Sequence, residues 1–427
     1  MIVDTKSPGW KLPFAIIWSG QACSLFGSGV AGFALIWWLT TSTGSATVLA
    51  TATLVTLLPG VLLGPLAGPL IDRWNRRAVL VAADAVGAVG AAVLALLFWA
   101  GALEIWHVYV VMAVRSLAGT FHFSAMQAST SLLVPEAQLA RVAGLNQMVG
   151  GATNIAAPPL AALLLVLLPL HAMMTIDVVT ALIAVATLLR VQIPQPPRAA
   201  SQQSGVRALL AEMGAGLVYV RGLPGLLAVM GMATLINLVM MPAFALLPIM
   251  VTRHFGGGAL ELGWMNAAEG AGIVAGGLLL GVWGGFKRRI LTAMLGLVGL
   301  SVGTLVIAAA PASALPLALV GMLLCGVMAP LCNGSFMAIV QSVVAPEMQG
   351  RVITLLMSVG MGAAPLGLLI AGPFADTLGV RLWYALGAAM CLAMAVVGLL
   401  TPAVLRIEER RATPAATGDP VAAPAAQ

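Results

Sequence analysis

Three ionisable side chains lie deep within apolar stretches of this chain: Arg115, Asp177 and Glu269. A charge surrounded by hydrocarbon is costly and marks a functional position by default. A carboxyl group in such surroundings is far cheaper as the neutral acid than as the anion, which suits it to carry a proton. Asp177 and Glu269 are therefore candidate proton carriers. Arginine holds its charge under all ordinary conditions, so Arg115 is a candidate for tuning a nearby acid or binding an anionic group. Plainer readings stand beside these. Arg115 can form a structural ion pair, Asp177 can hold helices together through Arg115, and Glu269 can bind a cation. Asp84, near one end of an apolar stretch, reads as a latch group close to the membrane surface.

Other chemistries find no support in the residue pattern. There is no phosphate-binding glycine loop, no nucleophile elbow and no metal-binding histidine pair, so neither an enzyme nor an ATP-driven pump is expected. The four cysteines, Cys23, Cys325, Cys332 and Cys391, fall in apolar stretches without metal spacing and read as small packing residues. No metal or cofactor is expected.

The elements that position these groups follow from composition. Of the 427 residues, 61% are hydrophobic and only 8% are Asp, Glu, Lys or Arg, with a mean hydropathy of +1.05. A water-soluble domain carries roughly a quarter charged residues, so lipid must be the solvent here. A bilayer core about 30 Å thick takes roughly 20 helical residues to cross. Spans are predicted near 14–40, 47–71, 78–101, 106–130, 142–169, 172–191, 224–251, 262–285, 290–311, 315–341, 352–376 and 380–404. Unpaired backbone groups are too costly in lipid for anything but helices or a closed barrel, and the alternating ten-residue segments of a barrel are missing. The predicted fold is an all-α polytopic membrane protein of twelve transmembrane helices.

Lysine and arginine set the orientation. With both termini cytoplasmic, only Arg253 and Arg381 fall in outer segments and Arg115 within a span; all other basic residues lie on the inner side. The net charge of +6 is thus a topology signal and calls for no nucleic-acid partner. The first apolar run is too long for a cleavable signal peptide. The expected location is the cell (inner) membrane.

The chain divides into two echoing halves. Ser131-Leu-Leu-Val-Pro135-Glu136, followed by Arg141-Val142, recurs as Ser342-Val-Val-Ala-Pro346-Glu347, followed by Arg351-Val352, one residue shorter. Less cleanly, Gly68 with Arg76-Arg77 recurs as Gly281 with Arg288-Arg289. Residues 1–191 and 223–405 are therefore expected to form two six-helix pseudo-repeats, as secondary transporters do. Between them, 192–222 reads as a proline-rich cytoplasmic linker followed by an interfacial helix. Residues 406–427 read as a disordered cytoplasmic tail.

The most specific segment is Gly68-Pro-Leu-Ile-Asp72-Arg73-Trp-Asn75-Arg76-Arg77, between the second and third spans. It resembles the signature loop of the major facilitator superfamily, roughly Gly-x-Leu-x-Asp-Arg-x-Gly-Arg-Arg/Lys. Asn75 stands where that family usually has glycine, and asparagine is the next most tolerant residue of a left-handed turn. The degenerate second copy has Gly284 in place of the acid. Gly68, Asp72, Arg73, Arg76 and Arg77 are read as a gating motif, with Asp72 able to meet arginines or a helix N-terminus of the other half. The arginines also serve as topology anchors.

Together with Asp84 and the Val-Pro-Glu loop, this wording resembles the macrolide-efflux branch of drug:proton antiporters over essentially the whole membrane region. That resemblance implies export of amphipathic compounds driven by protons through alternating access. It also places spans one, four, seven and ten around the substrate cavity, with Gln21, Ser24, His122, Gln127, Asn237 and Asn333 as polar lining candidates; each can equally form an interhelical hydrogen bond. Pro158-Pro159 and Pro365 are expected to bend gate helices. The partners implied are a small-molecule substrate, protons and lipid, with the chain working as a monomer. Rival readings are an exporter of one metabolite, such as a siderophore or lysolipid, and a non-transporting sensor that kept the fold.

Overall fold

The computed structural model describes residues 9–71, 73–195 and 206–409. Within them the chain forms α1 Lys11–Thr43, α2 Ala46–Ile71, α3 Arg76–Trp99, α4 Ile105–Leu133, α5 Leu139–Leu167, α6 Leu170–Arg190, α7 Val206–Arg221 and α8 Pro224–Ala245. There follow α9 Leu247–Ile249, α10 Ala259–Trp283, α11 Arg289–Ala309, α12 Leu315–Val343, α13 Pro346–Gly362, α14 Ala364–Leu378, α15 Val380–Leu400 and α16 Pro402–Leu405. Among the described residues, twelve helical stretches are long and apolar enough to cross a membrane, α13 and α14 counting as one.

Breaks in the spans have local causes. Span eleven is interrupted at Ala363, where Pro365 opens α14 without a free N–H. Span five instead runs unbroken through Pro158 and Pro159. Span seven ends earlier than its apolar run: α8 stops at Ala245, and the chain continues through α9 into a wide π turn, Met250–His254. Asn75 does not occupy the left-handed region expected for it. Its φ is −69°, and its side chain caps α3 by accepting the Ala78 N–H at 3.1 Å. The Asn-for-Gly departure in the loop therefore supplies an N-cap.

Packing follows the two halves, with two seams between them. α1 to α6 pack on one another, as do α8 and α10 to α15; the seams are α2 against α14 and α5 against α10. We call the end of the bundle that holds Lys11 and Leu405 the terminal face, and the other end the distal face. One large apolar core joins both halves, with Val30, Leu35 and Leu49 beside Leu246, Leu262 and Leu368. Towards the terminal face the core splits. Ile17, Ile71, Leu80 and Leu188 make a cluster confined to the first half, while Val220, Ile290, Ile339 and Val404 make one confined to the second. The halves are thus fused at the distal face and parted at the terminal face.

The pseudo-repeat is visible in contacts. Gln195 Oε1, just beyond α6, accepts the Arg76 N–H at 3.3 Å at the start of α3. Glu408, just beyond the last span, accepts the Arg289 and Ile290 N–H groups at 3.2 and 3.3 Å at the start of α11. Arg76 Nη1 donates to Ala128 O and Arg289 Nη1 to Ala338 O, at equivalent ends of α4 and α12. Arg76 therefore corresponds to Arg289 rather than to Arg288, one residue off the sequence alignment. The start of the expected tail is ordered: Ile407 is buried and Glu408 is a helix cap. Residues 196–205 and 410–427 of the linker and tail lie outside the described residues. The linker's helix, α7, packs on α13 and α8, and its Tyr219 hydroxyl accepts the Ala345 N–H at 3.1 Å.

Between helices in lipid there is little hydrophobic drive, so close approach through small residues must hold the bundle together. α10 and α12 meet at Gly272 and Gly326, where a Cβ on Gly326 would lie 2.9 Å from the Gly272 Cα. Gly326→Val is expected to cost about 2 kcal/mol through overpacking and lower the melting temperature in detergent by several degrees. Gly277→Val, where an added Cβ meets nothing within 4 Å, should leave it unchanged.

Candidate functional site

The interior of the first half holds a closed ionic triad. Arg115 on α4 forms an ion pair with Asp177 on α6 through Nη1 and Oδ2. Its Nη2 donates to Ser28 Oγ on α1 at 3.1 Å, and Ser28 Oγ donates to Asp177 Oδ1 at 2.8 Å. Asp177 is 1% exposed and Arg115 18%. Both carboxylate oxygens are occupied, and three helices are tied at one level. Ser28 was not foreseen; a serine in an apolar helix gives no sign of which neighbour it will face.

A second polar cluster lies nearer the terminal face. Gln21 Nε2 on α1 donates to Asp84 Oδ2 on α3 at 2.8 Å. His122 Nε2 on α4 stands 3.4 Å from Asp84 Oδ1, at ion-pair distance but without hydrogen-bond alignment, and is otherwise unpartnered. Asp84 is buried. Two expected cavity residues, Gln21 and His122, are thus gathered around the acid expected to be a latch.

Glu269 stands differently. It is half-buried on α10, and among the described residues its carboxyl group makes no hydrogen bond or ion pair. Among the described residues the buried Tyr384 hydroxyl on α15 is likewise without a hydrogen-bond partner. The remaining lining candidates do not join these clusters. Asn237 is half-buried and donates to Ala233 O of its own helix at 3.0 Å, while Gln127 and Asn333 are exposed. Ser24 is buried on α1.

In the signature loop, Asp72 lies outside the described residues. Gly68 and Arg73 are exposed. Arg77 donates from Nε to Leu188 O at 2.8 Å and from Nη2 to Leu189 O at 2.6 Å, so its charge sits on the C-terminal carbonyls of α6. Arg76 is buried against Ala128 O. These two arginines brace the first half at its terminal face.

The distal seam is closed by a residue that the sequence did not single out. Asp376, near the end of α14, accepts the Ala46 and Thr47 N–H groups of α2 at 2.9 Å each. It also accepts from Ser45 Oγ at 2.9 Å and Thr47 Oγ1 at 2.7 Å. Arg253 Nη2, from the π turn, lies 3.1 Å from Asp376 Oδ1. One carboxylate thus caps a helix of the other half and carries a counter-charge. The two distal arginines that break the topology bias are both engaged, since Arg381 Nε donates to Ala308 O at 3.0 Å. An acid at the edge of a predicted span gives only a weak signal, because its partner lies on another helix.

Comparison with known proteins agrees with this architecture. The sequence profile of the Major Facilitator Superfamily matches residues 17–249 and again 229–426. The chain is 35% identical to macrolide efflux protein A of Streptococcus pyogenes over 392 residues, covering 92% of this chain and 96% of that protein. It is 27% identical to the multidrug efflux pump Tap of Mycobacterium bovis, covering 95% and 96%. Among solved structures, a POT family transporter in complex with 5-aminolevulinic acid aligns with TM-score 0.72 at 10% identity, covering 93% and 97%. A bacterial homologue of the iron transporter ferroportin in an inward-facing state aligns with TM-score 0.66 at 16% identity, covering 93% and 99%.

Breaking a buried ion pair from one side leaves an uncompensated charge and costs about 3–5 kcal/mol. Asp177→Asn is therefore expected to lower the detergent melting temperature sharply. Arg115→Leu combined with Asp177→Leu should recover most of the loss if the triad only braces the bundle; failure of the double variant to recover would contradict a purely bracing role.

Proposed function

Because the chain belongs to the major facilitator superfamily, we propose that it is a drug-efflux transporter, exporting amphipathic, macrolide-like small molecules in exchange for protons by alternating access. The observation that carries the substrate class is the likeness to macrolide efflux protein A along almost the whole chain. The shorter likeness to the Enterococcus faecalis protein of the same name, 34% identical over 325 residues, points the same way. In this reading the two six-helix bundles, 1–191 and 223–405, rock about the α2–α14 and α5–α10 seams. Residues 192–222 bridge them in the cytoplasm, and the signature loop from Gly68 to Arg77 gates the inner side. Both termini are cytoplasmic, as the bias of lysine and arginine to the terminal face supports. The protein works as a monomer in the cell membrane.

Two groups are assigned to proton carriage. Glu269, without a partner, is the first. The second is the Asp84–His122 pair with Gln21 on its flank, in which the carboxylate and imidazole stand at ion-pair distance. Asp177 and Arg115 neutralise each other and are assigned to bracing. The substrate cavity is assigned to the space between the bundles, where Asn237, Gln127 and Asn333 would offer hydrogen bonds among apolar side chains, as suits a large amphipathic guest.

The test is efflux of a macrolide, and separately of a fluorescent lipophilic cation, from whole cells with and without a protonophore at matched expression. Efflux by the parent chain should collapse with the protonophore. Glu269→Gln and Asp84→Asn should abolish uphill efflux yet leave downhill exchange of the same compound intact. Uphill efflux that survives both substitutions would remove these groups from the coupling mechanism. Efflux indifferent to the protonophore would refute proton exchange itself.

A further inference from the structure

The residues that close the distal seam repeat, in order, the opening of the signature loop. The loop begins Gly68-Pro-Leu-Ile-Asp72 at the C-terminal end of α2; the distal clasp is Gly372-Pro-Phe-Ala-Asp376 at the C-terminal end of α14. α2 runs from the distal to the terminal face and α14 from the terminal to the distal face, and the two pack against each other along one seam. The same five-residue pattern, Gly-Pro-x-x-Asp, therefore stands at both ends of one helix pair, pointing in opposite directions. We propose that Gly372 and Asp376 form a distal gate latch, engaged while the distal seam is closed and released when it opens in each cycle.

The geometry of the engaged latch explains why this pattern is needed. An α-helix begins with backbone N–H groups that have no partner within the helix and carry partial positive charge. Asp376 takes two of these from α2, at Ala46 and Thr47, and adds the hydroxyls of Ser45 and Thr47. For the carboxylate to reach them, one turn of α14 must lie almost against the backbone of α2. Gly372 provides that approach: a Cβ there would fall 2.7 Å from the Thr47 Cα and 3.1 Å from the Ala50 Cβ. Glycine one turn before the acid is thus a steric requirement of the latch. Proline at the next position adds no N–H of its own to satisfy.

The start of span eleven at the terminal face is built differently from the start of α2. Its first residue, Pro346, has no N–H, its N-cap, Ala345, has no side-chain oxygen, and the Met348 N–H turns back onto Ala345 O, so it lacks the donor set of Ser45, Ala46 and Thr47 that Asp376 engages. A latch of this type belongs to one state. Swinging the halves apart at the distal face draws the Asp376 carboxylate away from the start of α2, because the contact spans the seam between them. Arg253 marks the distal latch as distinct: from the second half, it adds an ion pair to Asp376 itself.

This inference rests on the alternating-access reading, but its test needs neither substrate nor proton gradient. In a full-length background with Cys23, Cys325, Cys332 and Cys391 replaced by alanine, Ala50→Cys reports the distal seam and Leu62→Cys the terminal opening. Ala50 is buried and Leu62 is 61% exposed. A membrane-impermeant maleimide is applied to right-side-out and to inside-out vesicles. Asp376→Asn is expected to raise Ala50→Cys labelling about five- to tenfold and to lower Leu62→Cys labelling, with Asp376→Glu closer to the parent. Gly372→Val should act as Asp376→Asn does. If Asp376→Asn unfolds the chain, shown by loss of the monodisperse detergent peak, Arg253→Gln tests the same latch and should raise Ala50→Cys labelling more modestly. Unchanged labelling in folded Asp376→Asn and Gly372→Val would overturn the proposal. Failure of proton-driven efflux with these label shifts intact would refute the coupling reading alone.

Discussion

Ionised groups in a bilayer must be paired, kept beside water or neutralised, and the interior of this protein is arranged around that constraint. The first half uses pairing. Arg115, Asp177 and Ser28 satisfy one another completely and tie α1, α4 and α6 at one level. Among the described residues the second half has no counterpart to that triad. Where α4 carries Arg115, the corresponding part of α12 carries Cys325, whose Sγ lies against Leu300 O and Thr304 of α11, and Gly326, against which α10 packs closely. Glu269 sits at that approach with its carboxyl group unpaired. The two halves thus share a fold and differ in electrostatics: one is braced by charge, the other holds a lone acid in a backbone-to-backbone contact.

The same shortage of driving force explains the glycines. In water, helices associate by burying apolar area, but in lipid that term is small and van der Waals contact must do more. Glycines at Gly263, Gly270 and Gly372 allow the halves to meet along the two seams, where a Cβ would fall 2.6, 2.7 and 2.7 Å from its nearest neighbour. All three contacts belong to the distal part of the molecule, where one core runs through both halves. Towards the terminal face each half keeps its own core, so the halves can part there without exposing a shared apolar interior. A molecule built in this way has its hinge in the seams and its rigidity in the bundles.

The fold was legible in the sequence because lipid imposes a length and a polarity on every crossing element, and both can be read from residues alone. The twelve spans follow the apolar runs closely. Misreadings occurred where a single backbone geometry mattered. Asn75 was expected in a left-handed turn by likeness to a glycine and instead caps α3. The repeat alignment was one residue off at Arg76, because doublets of arginine can be paired in two registers and only the contacts to Ala128 and Ala338 decide. The site was less legible for a different reason. A helix surrounded by apolar neighbours on all sides has no amphipathic face to fix its rotation, so sequence gives the depth of a polar residue but not its direction. Depth alone picked out Arg115, Asp177 and Glu269. Direction is what joins Asp84 to Gln21 and His122, and brings Asp376 onto the start of α2.

Asp376 also shows why an exposed-edge acid can matter more than a buried one. A buried carboxylate that is fully paired, such as Asp177, is expensive to disturb and so belongs to parts that stay together. A partly solvated carboxylate that caps a helix gains little on binding and loses little on release, since water can replace each N–H and hydroxyl partner. Asp376 is 24% exposed and Arg253 43%, enough for water to reach both when the seam opens. Such a contact can hold one state of a moving interface without trapping it. The distribution of charge in this protein obeys that division: the deepest pair lies within a bundle, and the solvated clasp lies between bundles, where motion requires bonds that can be exchanged for water.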